Sequence, residues 1–510
     1  MDESHRSGEG NQSGNQDTEN TQGEADRLRE AKQTKVAEKV ARMDICMAEV
    51  LRATRAHQAF QNTAEALRPD FGGNFYSKSF MTEEITCFWS HSWHGGHWMK
   101  VMTLLIHYNG QAAVLFGSLF ALVATVCFSL GLLPGMVRFP EAPDMQWSTW
   151  SLASGFTAAV FVLVLWRPQQ LIFLDRICIN NSDAEQKKAS ILSLGGILKR
   201  SQRLMVLWDP SWCDRLWCLF ELAAFLKSKQ AQKNQVLLVQ PTILGPCSLI
   251  NFFCVSFVML PATTISFAGG SFGLVVPALG VVLFLLISGC FVFAVLRAYF
   301  RSLEALKERL QNISFDHCRC ACCDVDHIID QAPVLCDREI VKECVCIWFG
   351  STEGFEDCIR SEVLEVVTSR LQDQVFTRQW ILAVHIPILW AFFDFAASYA
   401  LMGEYEEALP LIIEGLVIWF CCSPIFVDCI TSLACRYSQK ATSTCWEILT
   451  NISLVLLGSA LFSVTGATYV LCQGFLPLDK NWYATAVFGC LWCILALGHF
   501  CYKASCRSHK

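Results

Sequence analysis

Charged residues are scarce. Only 17% of the 510 residues are Asp, Glu, Lys or Arg, against roughly 25% in soluble globular chains, so water is a poor solvent for much of this chain. A basic excess is also missing: 40 Lys and Arg against 46 Asp and Glu give a formal charge of −6. That balance speaks against nucleic acid as a partner. No cleavable signal peptide opens the sequence. MDESHRSGEGNQSGNQDTENTQGEAD is polar and rich in Gly, Ser and Asn, which predicts a disordered tail over residues 1–23. Neither a G-x-G-x-x-G loop nor a P-loop occurs, so ordinary dinucleotide and nucleotide cradles gain no support.

Apolar residues are abundant instead. They make up 53% of the chain, with 36 Phe and 16 Trp, and mean hydropathy is +0.36. Eight runs approach the roughly 20 residues that cross a bilayer core: Gln111–Leu133, Thr149–Trp166, Leu244–Phe267, Gly270–Leu296, Trp380–Leu401, Leu409–Ile430, Trp446–Leu471 and Trp482–Tyr502. Lys and Arg crowd the connecting segments 167–243 and 297–379, whereas LPGMVRFPEAPDMQ, MGEYEEA and CQGFLPLDKN are nearly free of them. By the positive-inside rule the basic segments and both termini are cytosolic. The expected fold class is therefore an α-helical polytopic membrane protein of about eight spans. Its 27 cysteines fall in apolar runs or cytosolic segments, so reduced thiols are expected in place of a disulfide framework.

Residues 24–67, rich in Ala, Glu, Lys and Arg, predict a cytosolic helix that is either solvated or docked through Val36, Val40, Met43 and Met47. Between the second and third spans the texture becomes globular. LIFLDRICI, RLMVLW and NQVLLVQP read as buried strands, separated by helices over DAEQKKASILSLGGILKRS and CDRLWCLFELAAFLKSK. Alternation at this spacing implies a parallel sheet.

This order of residues resembles the Toll/interleukin receptor (TIR) family. CFWSHSW matches the family's first strand, with Phe88 and Ser90 at its F-x-S. FLDRICI places Asp175 after the second strand, and WCLFEL places Trp217, Cys218, Glu221 and Leu222 on the hallmark W-C-x-x-E-L. About a quarter of the chain is covered, in two pieces, because the first two spans intervene. The family's Gly-Pro-rich loop is replaced by NNSDAEQ. The resemblance implies a flavodoxin-like cytosolic domain interrupted by a transmembrane hairpin. Its first strand and helix fall at 83–110, the hairpin at 111–166 and the remainder at 167–242. A transmembrane pair (244–297), a Cys-rich helical cytosolic segment forming a second unit (298–379), four more spans (380–502) and a short cytosolic tail (503–510) follow.

Some members of that family split NAD at the nicotinamide–ribose bond. The resemblance implies Glu221 as the catalytic acid, steadying a cationic sugar, with ligand near Phe88, Ser90 and Asp175 and a base stacked on Trp217. Many members are scaffolds instead, associating homotypically, and there Glu221 is a plain helix residue and Trp217 core. Cys318, Cys320, Cys322, Cys323 and His327 offer zinc ligands, although two C-x-x-C motifs are not paired; palmitoylation sites or plain thiols are the alternatives. Asp394 and Glu414 lie inside spans, where ionisable groups mark an interhelical bond or a pathway. Three functions thus stand open: a membrane-anchored signalling protein, a membrane-tethered NAD hydrolase, and a channel or transporter with a regulatory domain.

Overall fold

Helix α1 spans Ser13–Ala41 in the computed structural model, which describes residues 13–69, 72–135, 137–138, 146–231, 236–265, 275–329, 332–365, 376–475 and 481–508. Part of the tail expected to be disordered is thus helical, and residues 1–12 lie outside the described residues. The helix expected over 24–67 stops short. Met43 turns to φ 54, a left-handed conformation that no helix continues through, and Arg52–Arg55 then forms strand β1. Asn62, Thr63 and Ala64 also take positive φ. Ala37 and Val40 are buried, so α1 is docked on its own chain rather than solvated.

Strands β2 (Phe80–Met81) and β3 (Ile85–His91) follow. Helix α2 runs unbroken over His97–Ser129, so the helix expected within 83–110 and the first expected span are one element. The next apolar helix, α3, covers Trp150–Leu165. Strand β4 is only Leu171–Phe173, because Asp175–Cys178 is a helical turn; only the first third of LIFLDRICI is strand. The helix expected after it is divided at Ser193 into α4 (Ala184–Leu192) and α5 (Leu194–Lys199). Asp183 caps α4 by accepting from the N–H groups of Glu185 and Gln186. Strand β5 (Ser201–Trp208), helix α6 (Leu216–Ala231) and strand β6 (Val236–Pro241) complete the series. Beyond them come α7 (Leu244–Ile265), α8 (Val275–Gln311), α9 (Asp337–Phe349), α10 (Ile386–Leu401), α11 (Tyr405–Arg436), α12 (Thr444–Phe475) and α13 (Asn481–Ser508). Helix α11 passes through a π-helical turn at Ile418–Cys422.

The chain separates into two units, each assembled from three stretches. One takes Met1–Gly95, Gln169–Val239 and Lys307–Val367; the other takes Gly96–Pro168, Gln240–Leu306 and Thr368–Lys510. The Cys-rich segment therefore belongs to the sheet unit and is no separate cytosolic unit.

The six-stranded sheet has the order β2-β1-β4-β3-β5-β6. Strand β3 pairs in parallel with β4 (Phe88↔Phe173) and with β5 (Ile85↔Ser201 through His91↔Leu207). Antiparallel β1 and β2 close one edge through Thr54↔Ile172 and Arg52↔Met81, making the sheet mixed where a wholly parallel one was expected. Because β4 and β5 flank β3 on opposite sides, the strand order reverses at β3. A crevice opens at such a switch point, beyond the carboxyl ends of the strands. Helix α6 buries Leu219, Phe220, Ala223 and Phe225, holding its register firmly.

Among the described residues five helices are long and apolar enough to cross a membrane, or six if the bent pair Arg378–Val384 and Ile386–Leu401 counts as one span. That pair bends by 47° where Pro387 removes a backbone donor. The two other expected spans are the shorter apolar helices Trp150–Leu165 and Leu244–Leu260. Leu115, Phe161, Phe291 and Ile494 stand 60–68% exposed, which is stable only where the surrounding solvent is hydrocarbon. The chain is a multi-pass membrane protein. Its interior is locked by Trp390, fully buried, against Gly117 and Gly155.

Polar side chains inside this unit reach between helices. Asp394, at 0% exposure, accepts the backbone N–H groups of Ser151 (2.8 Å) and Leu152 (3.0 Å). Glu414 accepts from Thr485 at 2.8 Å, and Asp428 faces His499 at 2.7 Å. Arg297 reaches the carbonyls of Tyr437 and Gln439, the amide oxygen of Asn451, and Glu447. The acids thus make interhelical bonds.

Candidate functional site

The site begins at the carboxyl end of β3. Ser90 is fully buried, accepts the Trp212 indole N–H at 3.0 Å and hydrogen-bonds Glu221. Glu221 stands one helical turn after Trp217 on α6, half-buried. Its Oε2 is buried without a hydrogen-bond partner among the described residues. Burial pushes the carboxyl up to about 8; the Ser90 hydrogen bond opposes this, Asp175 adds to it and Arg215 opposes it again. At neutral pH Glu221 therefore keeps its proton.

Asp175 behaves oppositely. Burial pushes its carboxyl up, but His91, the Arg176 backbone N–H and Trp93 together outweigh that and hold it below the usual carboxylate range. His91 Nε2 lies 3.8 Å from Asp175 Oδ1. Two carboxyls near one strand end are thus driven apart, one protonated and one ionised, the pattern by which acid and base roles are separated. Beside Asp175 opens a cleft of about 310 Å³ lined by Pro69, Trp93, Arg176, Lys187 and Ile191. The Arg176 guanidinium lies over the Trp93 ring at 5.2 Å.

Of the residues expected to meet ligand, the structure brings Ser90, Asp175 and Glu221 together. Phe88 is not among them. Only 1% exposed, it stacks on Phe173 at 4.8 Å and fills the core, since period two puts it beneath the same sheet face as Ser90. Trp217 is likewise engaged elsewhere, hydrogen-bonding Asp337 and meeting Phe220 edge-on at 5.5 Å. The cleft also takes Trp93, Arg176 and Lys187, which the sequence analysis does not single out; an aromatic in SHSWH, a base in LDR and another in DAEQKK were the available signal. Among the expected metal ligands Cys322, Cys323 and His327 converge, joined by Cys336, while Cys320 groups with Cys322 and Asp337. Cys318 does not: its thiol lies 3.4 Å from the Ser314 carbonyl and 4.0 Å from that of Cys213.

The Glu221 carboxyl gives a pH signature. In the unfolded chain it titrates near 4.5, in the folded chain near 8. The folded form is thus favoured below 4.5 and loses that advantage as pH rises through 8. Glu221→Gln removes the loss. At about 1.4 kcal/mol per unit the full shift is an upper bound, and relaxation leaves a gain on the order of 2 kcal/mol. The variant's thermal midpoint should exceed wild type at pH 9 and match it near pH 5; parallel curves at both would refute the assignment.

No family model, curated protein or solved structure matches this chain.

Proposed function

We propose that this chain is a membrane-anchored signalling protein that recruits partners by homotypic association of a cytosolic TIR-like domain. One observation carries the reading. Four strands in the order β4-β3-β5-β6 bring Ser90, Asp175 and Glu221 to one switch point, where the resemblance of CFWSHSW, FLDRICI and WCLFEL implied them. Connectivity supports the topology. Because β3 and β4 are hydrogen-bonded neighbours, the apolar stretch 96–168 returns to the side it left and crosses an even number of times. The same reasoning applies to 240–306, since Lys307–Val367 folds with the sheet. Eight spans with both termini cytosolic satisfy both conditions and the positive-inside asymmetry.

A scaffold is favoured over a catalyst by the state of the side chains. Glu221 does not line the cleft. Phe88 is core and Trp217 is bound to Asp337. The second reading, NAD cleavage through Glu221, draws on the cleft itself: Trp93, Arg176 and Lys187 suit a base and a pyrophosphate. Channel activity has less to support it, as Asp394 and Glu414 are engaged between helices.

The test uses full-length protein in lipid nanodiscs. Two differently tagged copies should co-purify, and NAD should remain intact even when the protein is clustered on beads. Turnover about tenfold above Glu221→Ala would move the assignment to a hydrolase. Absence of self-association in membranes would remove the interaction reading.

A further inference from the structure

The described residues of 315–335 form short turns at Phe315–His317 and Cys323–Val325 and an antiparallel pairing of Ile328–Ile329 with Ala332–Pro333. Yet it is rich in soft ligands. Antiparallel pairing returns the chain so that Cys336 Sγ comes 3.6 Å from Cys323 Sγ. His327 Nε2 lies 3.5 Å from Cys323 Sγ. Cys322, Cys323, His327 and Cys336 each present one donor atom, and all four lie within 4.8 Å of one another.

These separations match a specific ion. Zinc holds sulfur at about 2.3 Å and imidazole nitrogen at about 2.0–2.1 Å in a tetrahedron. Its edges are then about 3.8 Å between sulfurs and about 3.6 Å between sulfur and nitrogen, from the same bond lengths. The two observed separations fall close to both. The backbone is bent to achieve this. Asp326 and His327 sit at φ 51 and φ 60, left-handed positions that two successive non-glycine residues adopt only when their surroundings hold them there.

The surroundings suit thiolates. The Asp337 backbone N–H donates to Cys322 Sγ at 3.3 Å, and Cys336 immediately precedes α9, whose amino end favours negative charge. A backbone amide placed in this way orients a metal ligand. The cluster is also tied to α6. Asp337 hydrogen-bonds Trp217, the Arg319 N–H donates to the Asp214 carbonyl at 2.7 Å, and the Leu216 N–H donates to the Arg319 carbonyl. Arg309 clamps Asp214 from the other side at 2.6 Å.

We propose that Cys322, Cys323, His327 and Cys336 bind one structural zinc ion, which braces the amino end of α6 and through it the position of Glu221. The ion closes the ligand set with no open position, so its role is structural rather than catalytic. The inference stands independently of the TIR-like reading.

Full-length protein, purified in detergent under reducing conditions without chelator, should carry about one zinc per chain by elemental mass spectrometry. After zinc removal, added cobalt(II) should give the visible bands of a tetrahedral site with sulfur-to-metal charge transfer. His327→Ala and Cys336→Ser should each lower bound metal about tenfold or more, while Cys318→Ser, outside the cluster, retains it. Should a ligand variant fail to fold, the cobalt titration of the wild type decides the matter by itself. Wild type holding neither zinc nor cobalt, or both ligand variants retaining full metal, would overturn the inference.

Discussion

Replacing Asp394 by alanine lowers the stability of the apolar unit by an expected 3 kcal/mol or so. The first N–H groups of any helix lack intrahelical acceptors, and in α3 those of Ser151 and Leu152 are satisfied by the Asp394 carboxylate, which projects from α10. In hydrocarbon no water replaces a lost acceptor. Each buried donor left unsatisfied costs about 1–3 kcal/mol, and two are orphaned together. Asp394→Asn keeps an acceptor oxygen and should lose only about a third as much. Unfolding midpoints of the purified variants in detergent measure the difference. An alanine variant as stable as wild type would show that the helix end is satisfied by something else.

Gly245→Ala has the other large effect. A methyl group there meets backbone, lying 2.6 Å from Thr103 Cα and 2.5 Å from the Met102 carbonyl carbon. Backbone atoms cannot rotate away, so α2 and α7 must separate. The contact is also stitched by hydrogen bonds, from the Gly245 N–H to Thr103 Oγ1 at 3.0 Å and from Thr103 Oγ1 to the Thr242 carbonyl at 2.8 Å. Small residues at membrane helix crossings serve this close approach, and overpacking it should destabilise by about 3 kcal/mol or more. Gly498 has nothing within 4 Å, so Gly498→Ala is the control and should be neutral or slightly stabilising. Equal thermal midpoints for the two variants would contradict the packing argument.

The helices of the apolar unit were legible because length and hydropathy are local properties. Strands β3 and β5 and helix α6 were legible for the same reason. Strands β1 and β2 were not: four and two residues show no period, and Arg52–Arg55 follows a helix-forming sequence that only pairing with Ile172 and Met81 overrides. Folding of the Cys-rich segment into the sheet unit depends on contacts such as Arg319 with Asp214, which no window of sequence contains. At the site, F-x-S promises two ligand contacts; Phe88 and Ser90 do share a face of β3, but Phe88, two residues further from the carboxyl end, is stacked on Phe173 in the core, while Ser90 lies near the end of the strand beside Glu221. The buried acid Asp394 was recognisable; that its partner is a helix terminus was not, because backbone donors leave no mark in the sequence.

The interleaving of the two units bears on how the protein is made. Its sheet takes strands from either side of the stretch 96–168, and α9 joins only after a second apolar stretch has been synthesised. A nascent chain therefore cannot complete this unit until the ribosome has passed Val367, long after β3 has emerged. Should one hairpin enter the bilayer with a single crossing, Leu171–Phe173 is delivered to the wrong compartment and β3 keeps an open edge. An unpaired β3 edge of that kind is a template for aggregation, so threading of the stretch 96–168 and closure of the sheet are linked.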